Sequence, residues 1–275
     1  MKRSLPRAGL NRSRLLHLLA DPAIEGTAGP KQSFAERLGD WLTLGDAIAL
    51  SGALGTGAGT PPADAAQASA GDIDARRKAA RELAQAFART RAALADSIAA
   101  DGVSETERGA ERARVKSLFP PPGASIDGAG DYLPYRRFHL ALQREMETGI
   151  GQLRAGVRQA LARHSPGLRR LAAIDAALGK ALAERERDLL ASVPHRLEKR
   201  FAQLYETHRQ ALAATRQADT PADTPDTPEH WLQAGGWLAE FRSELRAVLL
   251  AELDLRLQPV AGLIDAFSNE VTSSQ

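Results

Sequence analysis

Eight apolar residues recur at steps of three or four in the middle of the chain: Tyr135, Phe138, Leu142, Met146, Ile150, Leu153, Val157 and Leu161. At 100° per residue they span roughly 140° of a helix, with Arg137, Arg144 and Arg158 nearly opposite. This is the stripe of one amphipathic helix about thirty residues long, and nowhere do residues alternate like a strand for more than four positions. After Ser165-Pro166-Gly167, with Ser at a cap position and Pro at the first helical position, a second stripe follows: Leu168, Leu171, Leu178, Leu182 and Leu189. Two apolar-faced helices of similar length separated by a turn are expected to fold back as an αα-hairpin, the alternative being one kinked helix. Leu142, Leu153, Leu178 and Leu182 are its candidate packing or interface residues.

The fold class expected is all-α: long amphipathic helices forming an antiparallel hairpin or coiled-coil-like bundle, with a small N-terminal helical unit and disordered linkers. Residues 1–54 read as a basic arm and an N-terminal unit of two helices. The first spans about Asn11 to Ala20; the second opens on the capping box Ser33–Glu36 and carries Phe34, Leu38, Trp41, Leu42 and Ile48 to about Leu54. Residues 55–72, rich in Gly, Ala, Ser and Pro, have almost nothing to bury and read as a flexible linker. Residues 73–119 form a helical segment with the stripe Ile73, Ala80, Leu83, Phe87, Leu94 and Ile98 and a second capping box at Ser104–Glu107. A linker over 120–134 precedes the hairpin at 135–216. There Pro194 removes a backbone hydrogen bond, so a kink or break is expected near Val193, beyond which Leu197, Phe201, Leu204, His208 and Leu212 continue the stripe. The Asp-Thr-Pro repeats of 217–228 read as extended and solvated. Residues 229–275 form a C-terminal helical segment packing on the hairpin. Its helix starts near Pro228, carries Trp231, Leu238, Phe241, Leu245, Val248 and Leu249, and is interrupted at Pro259.

Composition narrows the chemistry. Aromatic residues are only 5% of the chain, so the core is expected to be Leu, Ala, Val and Ile in narrow helix seams. Absence of cysteine excludes disulfides, thiolate nucleophiles and cysteine-bound metals. The basic N-terminus lacks a signal-peptide apolar region, and no run of about eighteen apolar residues exists, so the expected location is cytoplasmic. The six histidines are scattered without a metal-ligand spacing. Gly55-Thr56-Gly57-Ala58-Gly59 follows a helix and no Lys-Ser or Lys-Thr comes after it, so it reads as linker and not as a phosphate loop. Glu184, Glu186 and Asp188 alternate with Arg185 and Arg187, as paired charges on a helix surface do. Gly235-Gly236, flanked by Trp231 and Trp237, would let another backbone approach closely, with helix packing the simpler reading. No catalytic, metal or cofactor-binding residue is expected, and no cofactor.

The net charge of +2 conceals an uneven distribution. Residues 135–216 hold sixteen Lys or Arg against eight Asp or Glu, and residues 1–20 hold five bases and no acid. Such a basic stem attracts nucleic acid, acidic protein or anionic lipid. The expected function is a non-enzymatic helical scaffold or adaptor that binds a protein partner or forms a homo-oligomer. The alternative is a nucleic-acid-binding protein using the N-terminal arm with Arg137, Arg144 and Arg158 as the anion contacts.

Three stretches carry a resemblance: GLNRSRLLHLLA, QSFAERLGDWLTLGDAIALSGAL, and the long run from YRRFHLALQREME to ASVPHRLEKRF. Over residues 9–54 and roughly 130–216 the chain resembles a proteobacterial family, domain of unknown function thirty-three forty-eight. That resemblance supplies no catalytic residue or cofactor. It implies a gene neighbourhood of proton-channel subunits of the flagellar-stator type and peptidoglycan-binding outer-membrane-protein-A-like proteins. From this follows an expected role as a cytoplasmic accessory of an ion-driven envelope complex or a defence system, associating with the membrane complex indirectly.

Overall fold

The computed structural model describes residues 41–55, 70–100, 125–217 and 226–273. The chain is all-α. The helices are α1 (Leu44–Gly55), α2 (Ala70–Ala99), α3 (Leu133–His164), α4 (Pro166–Gln217), the short α5 (Pro228–Trp231) and α6 (Trp237–Ser273), with a 3-10 turn at Ile126–Gly128 and no strand among the described residues. The helix expected at Asn11–Ala20, the capping boxes at Ser33 and Ser104 and the basic arm lie outside those residues, as does most of the glycine-rich linker.

The chain reverses at one residue. Arg163 lies in the last turn of α3, where a cation suits the helix dipole, His164 ends the helix, and Ser165 Oγ then accepts the backbone N–H of Leu168 at 3.1 Å to cap α4. Arg158 donates to Asp175 at 2.6 Å. On one continuous helix those residues would lie about 25 Å apart, so α3 and this stretch of α4 form the antiparallel hairpin and not the kinked rod. The α3 stripe lies inward as expected: Tyr135, Phe138, Leu142, Met146, Ile150, Val157 and Leu161 are buried, and Leu153 is half-buried.

The chain divides into two compact units. The first includes Ile98–His139 and Val193–Leu255, and its core corrects the expectation of an aliphatic seam. Tyr132, Tyr135, Phe201 and Phe241 form a mutual cluster with ring centroids 5.0 to 6.4 Å apart, extended through Trp237 to Tyr205, His208 and Trp231. Edge-on ring pairs add specificity to area burial. Tyr132 donates its hydroxyl to the Pro194 carbonyl at 2.9 Å, and Tyr205 donates to the Ile126 carbonyl at 3.1 Å. The second unit includes α1, α2 up to Ser97, Leu140–Ser192 and Arg256–Gln275. Its core is mainly aliphatic: Leu94, Leu142, Met146, Ile150, Leu168, Leu257, Val260, Leu263 and Ile264, with Phe267. Here α2 runs antiparallel to α3, Ser97 Oγ donating to Glu145 at 2.9 Å.

Several helix boundaries differ from the sequence reading. α4 continues through Pro194 and α6 through Pro259. A proline in a helix interior costs about 3 kcal/mol, and burial of Val193, Leu197 and Phe201 around the first and of Leu257, Val260 and Leu263 around the second outweighs it. The last long helix starts at Trp237, not Pro228. Gly235 turns the chain at φ +89°, and a Cβ at Gly236 would lie 2.3 Å from the Trp231 carbonyl oxygen, so this turn brings two backbones together and admits only glycine. α1 likewise starts at Leu44 and does not run through Trp41 and Leu42.

His139 on α3 and Glu252 on α6 are both fully buried in the first unit, with Nε2 and Oε2 3.3 Å apart. Neither was singled out in the sequence, where each sits between apolar neighbours. Removing the Glu252 carboxylate takes away the partner of a fully buried imidazole. Glu252→Ala is therefore expected to cost about 1–3 kcal/mol in urea unfolding, and the double variant His139→Leu/Glu252→Met to recover part of that loss. Additive losses would show that the pair is not coupled.

Candidate interaction surface

From Ala173 to Leu189, α4 contains no buried residue. Leu171, Leu178 and Leu182 are half-buried, and Leu189 is 67% exposed. The stripe expected to run inward through Leu189 instead turns inward at Leu190, which is buried. The candidate packing residues therefore separate: Leu142 is core, whereas Leu153, Leu178 and Leu182 lie at a partly covered surface.

The three arginines separate too. Arg137 and Arg144 are exposed, but Arg158 turns toward α4. Arg154 donates twice to the Asp175 carboxylate, at 2.9 and 2.5 Å. Arg158 donates to the same carboxylate at 2.6 Å and to the Asp175 backbone carbonyl at 3.0 Å. Gly179, one turn along, makes room for both guanidiniums, since a Cβ there would lie 3.0 Å from Arg158 Nη2. Burial works to raise the Asp175 pKa, but the hydrogen bonds and charges of Arg154 and Arg158 outweigh it and hold the carboxyl below its ordinary value. Two guanidiniums on one carboxylate leave a positive notch on this face.

α1 is the second exposed feature. A reciprocal cap starts it: Thr43 N and Oγ1 donate to Asp46 Oδ2 at 3.0 and 2.7 Å, and Asp46 N donates to Thr43 Oγ1 at 3.2 Å. The Thr43 hydroxyl, then its backbone N–H, lowers the Asp46 pKa. Thr43-Leu44-Gly45-Asp46 carries this signal in the sequence, where the continuous reading from Ser33 concealed it. Asp46 is the helix's only charge, yet α1 has no buried residue. Leu44, Ile48 and Leu54 are 79%, 64% and 49% exposed.

One polar constellation changes the reading of the Asp-Thr-Pro repeats. Asp226 Oδ1 accepts from Trp231 Nε1 at 2.5 Å and lies 3.0 Å from His208 Nε2. Thr227 caps α5 and Pro228, at its first turn, is buried. The last repeat is thus packed, not solvated, and His208 is part-buried as its stripe position suggested. Elsewhere Arg76, His164, Leu168, Phe267, Glu270 and Val271 line a cleft with room for about one water molecule. Burial, then Arg76, lowers the His164 pKa. Among the described residues no group of three or more metal-ligating side chains gathers, and no helix is long and apolar enough to cross a membrane.

The depressed Asp175 pKa predicts an acid limb in stability. Its contribution is present above about pH 3.9, the unfolded aspartate value, and is lost as pH falls through the lower folded value. Asp175→Asn is expected to flatten that limb and to cost about 1–3 kcal/mol at neutral pH. Chemical denaturation at stepped pH measures both; an unchanged acid limb would show that the ion pairs contribute nothing.

The family model described as "Protein of unknown function (DUF3348)" matches residues 1–269. No curated protein and no solved structure matches the chain.

Proposed function

We infer that this chain, which belongs to the DUF3348 family along residues 1–269, is a non-enzymatic helical scaffold or adaptor that binds a protein partner or a second copy of itself. One observation carries the reading: α1 is apolar around its circumference and yet buries none of its residues. A helix hydrophobic all round is ordinarily enclosed, so this one is built to be covered. Its large exposed side chains, Leu44 and Ile48, lie four residues apart, the spacing of anchors on a helix that seats against another surface. The partly covered stretch of α4 belongs to the same unit. With the resemblance noted above, the partner fits a component of an ion-driven envelope complex, the chain acting as its cytoplasmic accessory.

Ile48→Glu tests this. Ile48 is 64% exposed, so the fold should keep its stability to within about 0.5 kcal/mol. Tagged wild-type and variant protein would be captured from the native host after mild crosslinking, with and without nuclease. A protein partner recovered with the wild type and lost with Ile48→Glu supports the reading. Recovery of nucleic acid alone, weakened by salt and by neutralising the exposed Arg137 and Arg144, would replace it with the nucleic-acid alternative.

A further inference from the structure

The partly covered stretch of α4 repeats every seven residues, with Leu171, Leu178 and Arg185 at one position and Asp175, Leu182 and Leu189 at the other. These two positions form a coiled-coil seam. The seam also has mirror order about Lys180. Leu171 and Leu189 lie nine residues to either side, Asp175 and Arg185 five, and Leu178 and Leu182 two. Two such helices laid antiparallel about a two-fold axis at Lys180 would pair leucine with leucine at four levels and bring Arg185 level with Asp175, which Arg154 and Arg158 of its own chain already hold, at two. Lys180, about 200° round the helix from Leu178, faces away from the seam and is exposed.

The flanks agree with this arrangement. Arg170 and Asp188 are eighteen residues apart and share one helix direction. Both are exposed, and neither has an ion-pair partner among the described residues. In an antiparallel pair like flanks meet, which brings Asp188 of one copy to Arg170 of the other. On the opposite flank Glu186, which lies 3.5 Å from Arg256 and is half exposed, approaches the Arg154 and Arg158 notch of the second copy. That notch has two guanidiniums for one carboxylate; Glu186 supplies the missing negative charge.

We propose that α4 between Leu171 and Leu189 pairs antiparallel with the same stretch of a second copy of this chain, forming a two-fold symmetric dimer. The proposal rests on the assembly reading above and names the partner of one of its surfaces. The interface is isologous, as two-fold contacts are, and the pairs of Asp188 with Arg170 and of Glu186 with the Arg154–Arg158 notch fix its register and direction.

The absence of cysteine allows a direct test. Leu189→Cys and Leu171→Cys proteins are oxidised separately and as a mixture. The mixture is expected to give a disulfide dimer. Leu189→Cys alone is expected to give none, because the two 189 positions of an antiparallel pair lie about 27 Å apart. If Leu171→Cys lowers the melting temperature, the exposed pair Arg170→Cys and Asp188→Cys takes its place. Sedimentation equilibrium is expected to show a wild-type dimer and a Leu189→Glu monomer with unchanged helicity. Self-crosslinking of Leu189→Cys, an uncrosslinked mixture or a monomeric wild type would each overturn the proposal. Capture that depends on Ile48 would still stand in those cases, so the two readings fail separately.

Discussion

The reversal at Ser165 is the constraint on which the second unit depends. A helix of the combined length of α3 and α4 would carry its apolar stripe into solvent along its whole course. Placing an N-cap serine and a first-turn proline directly after His164 ends one helix and starts the next within a single residue. The stripe of α3 is then covered by neighbours already present in the chain. Arg154 and Arg158 reinforce the reversal from α3 by converging on Asp175 of α4. The carboxylate is mostly shielded, so each bond is less screened than a surface pair, and the three side chains fix how far one helix has slid along the other.

The two units solve the same burial problem with different side chains. Thirteen aromatic residues in 275 suggest an aliphatic protein, but all three tyrosines and two of the three tryptophans belong to one ring cluster in the first unit. Averages over a chain conceal such partition. The rings of Tyr132, Tyr135, Phe201 and Phe241 pack on one another in the first unit where aliphatic side chains form most of the core of the second. Gly130 and Gly236 are part of that solution. A Cβ at Gly130 would press on the Tyr205 ring at 3.1 Å, and one at Gly236 would strike the Trp231 carbonyl.

Much of this was legible in the sequence because amphipathic periodicity is a local signal. Seven of the eight α3 stripe positions are buried, and Ser165-Pro166 marks its turn by residue type alone. What was not legible depends on tertiary partners. Pro194 reads as a kink or break and Pro259 as an interruption, since a local rule cannot count the apolar residues that keep each helix continuous. Leu189 and Leu190 are adjacent leucines, and only the neighbouring helices decide which one lies inward. His139 and Glu252 are 113 residues apart and their chemistry appears only when α3 and α6 meet. Asp226 looked like one acid in a solvated repeat because its partners, His208 and Trp231, lie on separate elements. The coverage of α1 and α4 likewise could not be read from hydropathy, which is the same for a buried leucine and an exposed one.

Polar groups set into apolar surfaces recur through the molecule, and their placement bears on what the protein can do. Replacing a buried ionic group with a well-packed hydrophobe is often neutral or stabilising, so stability alone does not account for Asp175 and its two arginines. The best-attested further use of such groups is to fix register. A leucine seam tolerates sliding by a turn, whereas a shielded carboxylate aligned with two guanidiniums does not. For the scaffold proposed above this would matter more than total stability, because such a role needs helices whose relative register is unique. The same logic separates the two kinds of exposed apolar surface. α1, with one charge, offers area and little orientation. The stretch of α4 interleaves leucines with Asp175, Arg185 and Asp188, and so carries the charge pattern with which one helix orients another.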